Sequence, residues 1–479
     1  MSTIKKIAKN TSSLFIAQII TSILALILSI YVVRKLGDIN YGKYSFALAF
    51  ATFFSIFLDF GYNTLFIRNV SRDKSLINTY LNNIFFIRAL LSIIIFIFLV
   101  ITINILNYPL ETKIIVYIFG IYFAIKTLSD VNKGIFRVFE KMEYEAIVRI
   151  ISEITLLILG MSVLYLGYGL IAFVSVYLFT GIQELILGCL ISEKKFIKSK
   201  TELDLSFFKK TAKIALPLVM LSFFSFVFVK IDTIMLSFMK GDAVVGWYSA
   251  AYALTYSFKP FPQMLITALF PLISYYYIYS KDSLKTTYEK SFKYMLLLGL
   301  PIALGITLLS DKIIILFYGE QFINSIIALQ ILSWDVLLIF LYNPFGAILV
   351  SMDRQNVMAL IFCFTAVLNI ALNLVLIPPF SYVGSAIATI VSEGILLIIY
   401  IYLLSKYLGK ISFSKICIRP IIAVSLMGLF IYFCRLISIN LFLIIALSTV
   451  LYFIILFLIK GITKEDIMLI KKILKTKKE

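Results

Sequence analysis

The sequence predicts an all-α integral membrane protein that crosses the bilayer many times. Of its 479 residues, 61% are hydrophobic and only 14% are charged, and the mean hydropathy is +1.02. A water-soluble domain has about half apolar and about a quarter charged residues, so that class is excluded. Apolar runs recur along the whole chain, and about twenty such residues cross a hydrocarbon core roughly 30 Å thick. Because the runs do not alternate with polar residues, a membrane β-barrel is excluded as well.

The polar breaks between these runs predict about fourteen transmembrane helices. They cover residues 11–33, 43–66, 82–105, 112–130, 146–166, 168–191, 214–239, 244–276, 292–309, 323–350, 356–377, 382–405, 417–434 and 440–459. Two of them are interrupted by polar residues or prolines. Lys126 and Asp130 interrupt the fourth, and Lys259-Pro260-Phe261-Pro262 interrupts the eighth.

The distribution of lysine and arginine predicts the orientation in the membrane. Of the 44 such residues, 34 fall in the N-terminal segment, in alternate loops and in the tail after residue 460, and seven fall in the opposite loops. Cytoplasmic loops carry such an excess. We therefore expect a multi-pass protein of the cell (cytoplasmic) membrane with both termini in the cytoplasm. These loops also account for the formal charge of +19, so no nucleic-acid partner is predicted.

The two halves of the chain repeat each other at a constant offset of 204 residues. Residues 5–9 match residues 209–213, and seven of the thirteen residues from Gly37 onward are identical to those from Gly241 onward. Six predicted helices separate the copies, so the halves run in the same direction and form a parallel repeat. The predicted domains are an N-terminal six-helix bundle (1–200), a C-terminal six-helix bundle (201–408), and helices thirteen and fourteen with a basic cytoplasmic tail (409–479).

Residue types that would support catalysis are sparse. The chain has no histidine, and its four cysteines are scattered singly, so neither His-based catalysis nor a metal site nor a disulfide framework is predicted. The longest outer loop, residues 310–322, offers only Asp311 and Glu320 as acids. A Gly-rich phosphate loop of the nucleotide-binding kind is also missing from the sequence. We therefore expect neither an enzyme nor a cofactor.

Ionisable residues inside the predicted spans are the main candidates for function. Each costs about 2.5–3.5 kcal/mol at a helix centre on insertion scales, and such groups usually face the bundle interior. Lys126 and Asp130 share one helix face, which predicts an ion pair between them. For the acids, a structural ion pair and a functional role both remain open. The residues concerned are Asp59, Glu153, Glu184, Asp232, Asp335 and Glu393, with Lys126, Lys230 and Lys259.

Three cations have surroundings that favour contact with an anion. Lys259 precedes Pro260 and Pro262, and each proline removes an amide donor and frees a carbonyl one turn earlier. Broken helices of this kind are tolerated where they line a wet or protein-filled space, so Lys259 is a candidate substrate-facing cation. Arg68 and Arg88 flank the loop between the second and third helices and could accept an anionic headgroup. The alternative for both arginines is snorkelling to lipid phosphates.

Short motifs occur in order along roughly residues 5–405. The first half contains Lys9-Asn10, Arg34-Lys35-Leu36-Gly37, Tyr41-Gly42-Lys43-Tyr44, and Leu58-Asp59-Phe60-Gly61 followed by Arg68. The second half contains Ala215-Leu216-Pro217, Lys230-Ile231-Asp232, Val245-Gly246-Trp247-Tyr248, Phe270-Pro271-Leu272, Phe317-Tyr318-Gly319 and Gly384-Ser385-Ala386. In this order and spacing they resemble the polysaccharide-biosynthesis flippases, a family in the superfamily of multidrug, oligosaccharidyl-lipid and polysaccharide exporters.

The resemblance implies a fold and a substrate. The fold has twelve core helices in two bundles around a V-shaped cavity, as in the multidrug exporters (MATE-like). The substrate is a polyprenyl-(pyro)phosphate-linked oligosaccharide, moved headgroup-first to the outer leaflet for surface polysaccharide. The implied partners are this substrate and membrane lipids, with glycan polymerases or transferases as further candidates. Cavity cations would bind the phosphate, namely Lys259, Lys230, Lys126, Arg68 and Arg88. Four acids would position these cations or bind a coupling ion, namely Asp59, Asp232, Asp335 and Glu393.

Two other functions stay open at this point. A cation-coupled multidrug exporter of the same superfamily would need acids in the cavity for ion coupling and would tolerate loss of the lysines. A membrane-embedded glycan polymerase or transferase would need a substantial outer loop with convergent carboxylates, which this sequence lacks.

Overall fold

The computed structural model describes residues 3–196, 206–409, 413–437 and 439–462, and within these ranges the fold is all-helical, with no strand. The predicted fold class is therefore confirmed. The helices are α1 (Thr3–Asp59), α2 (Tyr62–Arg72), α3 (Ile77–Ile105), α4 (Leu110–Val138), α5 (Met142–Tyr165), α6 (Gly169–Lys195), α7 (Ser206–Lys240), α8 (Asp242–Tyr256), α9 (Pro260–Tyr279), α10 (Lys281–Phe317), α11 (Ser325–Ser351), α12 (Gln355–Leu408), α13 (Phe413–Leu436) and α14 (Leu441–Leu458).

Many of these helices are long and apolar enough to cross a membrane. Eleven stretches of the described residues meet that condition, or twelve if the bent stretch from Asp242 to Tyr279 is one span. The polytopic membrane class is thus confirmed, while the number fourteen stays a prediction.

Two helices are too long for one crossing and are broken inside. At 1.5 Å per residue, α1 with 57 residues and α12 with 54 residues each exceed a bilayer. Each contains one non-helical residue, Gly37 with a φ of 76° and Ser381 with a φ of 55°. Glycine adopts positive φ without a steric penalty, which explains why α1 turns at Gly37. Both breaks fall where the sequence predicts a turn between two spans.

Several helices extend beyond their predicted ends. The fourth predicted helix ends at residue 130, whereas α4 continues to Val138 and contains Lys133 and Arg137. The ninth predicted helix covers 292–309, whereas α10 runs over Lys281–Phe317. Hydropathy detects only the apolar part of a helix, so charged turns that continue the helix are assigned to loops.

The described chain forms two compact units. The first contains Met1–Ala253 with Phe362–Ser385, and the second contains Leu254–Ile361 with Ala386–Glu479. These units follow packing within the chain, whereas the predicted domains follow the sequence repeat. The predicted domain boundaries therefore stay a prediction.

In the first unit, α4 packs against α1 and α6, and α5 packs against the same two helices. A buried cluster formed by α2, α3 and α4 includes Tyr62, Phe66, Ile84 and Ile135. In the second unit, α10 packs against α11 and α13, α11 packs against α9, and α13 packs against α14. The Tyr452 hydroxyl of α14 donates to the Leu297 carbonyl of α10 at 2.9 Å. Each unit thus has its own helix-on-helix core.

The repeated segments meet inside the first unit. A Cβ atom added to Gly42 would lie 1.8 Å from the Asp242 carbonyl oxygen, and one added to Gly246 would lie 2.1 Å from the Asp38 carbonyl oxygen. The Trp247 indole N–H also donates to the Asp38 carboxylate at 3.0 Å. Gly42 and Gly246 are equivalent in the repeat, and so are Asp38 and Asp242. The contact is therefore reciprocal, and both glycines are needed because any side chain would collide with backbone.

Candidate functional site

Among the described side chains of the first unit, Arg88 is the most deeply buried cation. Its side chain, on α3, is 1% exposed and forms an ion pair with Asp59 at the end of α1, whose side chain is 45% exposed. Its guanidinium also donates to the Thr127 carbonyl of α4 at 2.6 Å. Arg88 therefore joins three helices and is already neutralised by Asp59. In this arrangement Asp59 positions a cation, which is one of the two roles predicted for it.

Lys133, about two turns after Lys126 on α4, forms ion pairs with two acids. Its Nζ lies 2.8 Å from the Asp130 carboxylate on the same helix and 2.5 Å from the Glu184 carboxylate of α6. The prediction that Asp130 pairs with Lys126 is therefore wrong. An i,i+3 partner is as close on a helix surface as an i,i+4 partner, and Lys133 also reaches Glu184.

The ammonium group of Lys126 contacts a tyrosine side chain. Its Nζ donates to the Tyr122 hydroxyl at 3.0 Å and lies 5.3 Å from the centre of that ring. Within the described residues no carboxylate lies within 4 Å of this ammonium, although Glu184 and Asp130 interact with it over a longer distance. The side chain is half-buried. Lys126 is therefore a membrane-embedded cation whose nearest partner carries no charge.

Aromatic side chains pack around Tyr122, the tyrosine that binds Lys126. The Tyr44 and Tyr177 hydroxyls are 2.7 Å apart, and the Tyr177 ring lies edge-on to Tyr122 with centroids 5.6 Å apart. Phe119 and Phe173 pack against Tyr44 with centroids 5.8 Å and 5.7 Å away. The wall beside Lys126 is thus aromatic with polar hydroxyl groups, which suits a ligand with both apolar and polar parts.

Asp232 lies in a separate polar cluster of the first unit. Its carboxylate is 1% exposed and accepts hydrogen bonds from the Tyr248 hydroxyl at 2.8 Å and from the Asn373 amide at 2.6 Å. The Asn373 carbonyl oxygen accepts from the Ser385 hydroxyl at 2.8 Å, and the Asn369 carbonyl oxygen lies 3.1 Å from the Asn373 amide nitrogen. The cluster therefore joins α7, α8 and α12 by hydrogen bonds around one buried carboxylate.

Lys230 lies on α7 two residues before Asp232. Its Nζ lies 4.9 Å from the centre of the Tyr252 ring, which stacks on Tyr248 with centroids 6.0 Å apart. Because Tyr248 donates to Asp232, the lysine and the acid are connected through two stacked tyrosines.

In the second unit, Lys259 stands at the helix break that the prolines predict. Helix α8 ends at Tyr256 and α9 begins at Pro260, with Lys259 as the residue before the first turn. The Lys259 Nζ donates to the Tyr256 hydroxyl at 3.2 Å and lies 4.7 Å from that ring centre. The side chain is half-buried, and no carboxylate of the described residues lies within 4 Å of it. Lys259 thus repeats the lysine-on-tyrosine arrangement of Lys126.

Asp335 and Glu393 form a buried pair of acids in the second unit. Asp335 on α11 is 0% exposed and Glu393 on α12 is 4% exposed. The two carboxyl groups interact with each other, and Lys259 interacts with Asp335 electrostatically. The structure thus brings together three residues that the sequence analysis proposed separately.

Arg68 lies apart from these clusters. Its side chain is exposed, and its Nε donates to the neighbouring Asn69 side chain at 3.3 Å. Snorkelling toward lipid phosphates therefore remains as open for Arg68 as headgroup binding. In the described residues, no group of three or more His, Cys, Asp or Glu side chains is placed to hold a metal ion.

Some members of these clusters were not among the predicted site residues. Lys133 was assigned to a cytoplasmic loop because the predicted fourth helix ended too early. Asn373, Tyr122 and Tyr256 carry no charge, so an analysis of intramembrane charges passes over them. A tyrosine three or four residues before an intramembrane lysine is a sequence signal that could have identified the last two.

The helical fold, with charged and tyrosine-bound groups inside its apolar spans, defines a polytopic membrane protein. The family model described as polysaccharide biosynthesis protein matches residues 7–277, and a second model, MatE, matches residues 217–375. The first match covers more than half of the chain. The protein therefore belongs to the polysaccharide biosynthesis protein family, which the sequence resemblance indicated.

Named relatives and solved structures agree with this assignment. The chain is 24% identical to the capsular polysaccharide biosynthesis protein CapF of Staphylococcus aureus over 82% of this chain and 98% of CapF. It is 25% identical to the probable low-salt glycan biosynthesis flippase Agl15 of Haloferax volcanii, over 44% of this chain and 45% of Agl15.

Among solved structures, the fold matches the lipid II flippase MurJ in an inward closed conformation with a TM-score of 0.77, at 17% identity over 95% of this chain and 99% of MurJ. An inward-facing MATE multidrug transporter matches with a TM-score of 0.63, at 16% identity over 81% of this chain and 95% of that transporter. At these identities the structural matches establish the fold alone.

Proposed function

We propose that this protein is a flippase that moves a polyprenyl-(pyro)phosphate-linked oligosaccharide from the cytoplasmic to the outer leaflet by alternating access. The single observation that carries the proposal is membership of the polysaccharide biosynthesis protein family across residues 7–277. The names of the relatives, a capsular polysaccharide protein and a glycan flippase, support the same class of substrate. The proposed role is non-catalytic, in the cell membrane, with both termini in the cytoplasm as the bias of basic loops predicts.

Lys126 and Lys259 are the groups that we assign to the phosphate headgroup. Each is half-buried inside a span and donates to a tyrosine hydroxyl. A phosphate can take the place of a neutral phenol and form a charge-assisted hydrogen bond, which is about twice as strong as a neutral one. Arg88, by contrast, would have to give up Asp59, so we assign it a positioning role. Lys230 and Arg68 remain secondary candidates.

The Asp232 cluster is the place that we assign to a coupling ion. A carboxylate that is 1% exposed costs free energy unless its charge is compensated. Asn373, which donates to Asp232, is joined in turn to the side-chain oxygens of Asn369 and Ser385, and oxygen atoms are the ligands that small hard cations prefer. Asp232→Asn, which keeps the shape and removes the charge, is expected to make transport independent of an imposed ion gradient.

The test of the proposed function uses a strain that lacks the gene and carries single variants on a plasmid. We expect Lys126→Gln and Lys259→Gln to leave intact lipid-linked oligosaccharide accumulated and surface glycan reduced, and Lys→Arg at the same positions to restore part of both. Lys35→Gln is the matched control, because Lys35 also lies over a tyrosine, Tyr31 at 5.9 Å, but its side chain is exposed. Immunoblots check that each variant reaches the membrane in equal amount.

The competing functions predict other outcomes. An unchanged lipid-linked pool and glycan in the deletion strain, together with new sensitivity to cationic drugs, would favour the multidrug exporter. Joining of lipid-linked sugars by the purified protein would favour a polymerase or transferase. Full activity of both lysine variants would contradict the assignment of Lys126 and Lys259 to the phosphate headgroup, but it would not contradict the proposal that the protein is a flippase.

A further inference from the structure

A cavity of about 360 Å³ lies in the second unit, between the end of α10 and the start of α14. Asp311, Lys312 and Ile315 line it from α10, and Asn440 and Phe442 line it from the α14 side. Ligand sites in proteins measure about 300–1,000 Å³, so the cavity is large enough for a small polar group. None of the site residues described above lines it, so it is separate from the proposed transport site.

The position of the cavity along the helices places it at the surface of the membrane. Helix α13 ends at Leu436 and α14 begins at Leu441, and both are long and apolar enough to cross the bilayer. The 18 residues of α14 measure about 27 Å, close to the roughly 30 Å thickness of the hydrocarbon core. The short turn before Leu441 therefore lies at the level of the lipid headgroups, and α14 continues from there at the level of the acyl chains.

The charges at the cavity leave one cation without an anionic partner. The Arg435 guanidinium pairs with the Asp311 carboxylate at 2.8 Å and also donates to the Leu308 carbonyl. The Lys312 ammonium donates to the Ile439 carbonyl at 3.0 Å, and no carboxylate of the described residues lies within 4 Å of it. Because the arginine and the aspartate neutralise each other, these three side chains together carry one net positive charge.

Apolar side chains border the charged part of the cavity. Ile315, one turn after Lys312 on α10, and Phe442, at the start of α14, are both exposed and line the same cavity. A lysine that only snorkels keeps its ammonium in water, whereas the Lys312 side chain is half-buried and hydrogen-bonded to backbone. A fixed cation beside exposed apolar side chains at this depth matches a molecule whose phosphate is joined to hydrocarbon chains.

We propose that this cavity binds the phosphate of one anionic phospholipid, with Lys312 as its cation and with an acyl chain against Ile315 and Phe442. An ammonium has three donor hydrogens, so Lys312 keeps its bond to the Ile439 carbonyl and forms a charge-assisted bond to the phosphate as well. The lipid connects α10 to the turn before α14, and its binding stabilises the folded protein by linkage. The site goes beyond the proposed function and does not depend on which substrate is transported.

The first experiment counts bound lipid by native mass spectrometry of the purified full-length protein, titrated with phosphatidylglycerol in detergent. Lys312→Gln should weaken the binding of one phosphatidylglycerol molecule by about tenfold, because one charge-assisted hydrogen bond is lost, and Lys312→Arg should retain it. Lys113→Gln is the matched control, because Lys113 is also half-buried but does not line the cavity. The proposal is overturned if Lys312→Gln binds as tightly as the wild type, or if Lys113→Gln loses the same molecule.

The second experiment tests the chemical class of the ligand through the thermal unfolding midpoint. Phosphatidylglycerol should raise the midpoint of the wild type, and Phe442→Gln, which removes part of the apolar wall, should reduce that rise. Diacylglycerol lacks the phosphate and inorganic phosphate lacks the chains, so each should raise the midpoint much less. An equal rise with inorganic phosphate would indicate a site for a free anion, and an equal rise with diacylglycerol would show that Lys312 plays no part. Either result overturns the proposal, and neither bears on the flippase assignment, because transport is not measured.

Discussion

The acids inside the spans of the two units have different partners. In the first unit, Asp59 meets Arg88, and Asp130 and Glu184 meet Lys133 at ion-pair distance. In the second unit, no hydrogen-bond donor of the described residues reaches the carboxyl oxygens of the buried Asp335, and the Lys259 ammonium donates to the Tyr256 hydroxyl. The ion pairs of the first unit therefore connect α1 to α3 and α4 to α6, whereas no ion pair holds Asp335 among the described residues of the second unit.

The largest effect is expected from breaking the ion pair of the first unit. Asp59→Ala leaves Arg88 buried without its carboxylate, which costs on the order of 3 kcal/mol, at the low end of the range for buried pairs because Asp59 is 45% exposed. Thermal unfolding in detergent should show a clearly lower midpoint. The double variant Asp59→Leu/Arg88→Met should recover most of the loss. An unchanged midpoint in Asp59→Ala would mean that Arg88 finds water or another partner.

A smaller effect is expected where the repeated glycines meet. Gly42→Ala and Gly246→Ala each place a methyl group against a backbone carbonyl, and such overpacking costs about 1–3 kcal/mol. Gly394→Ala is the control, because its Cβ would meet open space and alanine is the better helix former. Unfolding midpoints of the three variants measure the difference. Equal unfolding midpoints of all three variants would show that the backbone contact between the two repeated segments can open at little cost in free energy.

Much of this arrangement could be predicted from the sequence, because it depends on local pattern. Continuous apolar runs predicted the helical membrane class, and the prolines at 260 and 262 predicted the break beside Lys259. The repeat identified Gly42 and Gly246 as equivalent positions, although their reciprocal contact became visible only in the structure. These features need only neighbouring residues or a direct comparison of two segments.

The partners of the charges could not be predicted, because they lie on different helices. Asp59 lies 29 residues before its partner Arg88, and Asp232 lies 141 residues before its partner Asn373. Helix geometry alone favoured Lys126 as the partner of Asp130, whereas Lys133 forms the pair and also reaches Glu184. The predicted helix ended at residue 130 whereas α4 continues to Val138, more than two turns further, and this error placed Lys133 in a loop.

The most direct test of the account is transport by the purified protein in sealed vesicles. A fluorescent lipid-linked oligosaccharide is placed in one leaflet, and its appearance in the other is followed with a membrane-impermeant quencher. The account predicts rapid exchange with the wild type and with Lys35→Gln. It predicts a loss of roughly tenfold or more with Lys126→Gln and Lys259→Gln, since one charge-assisted contact is worth about 1.5–3 kcal/mol. Exchange no faster than in protein-free vesicles would contradict the flippase assignment.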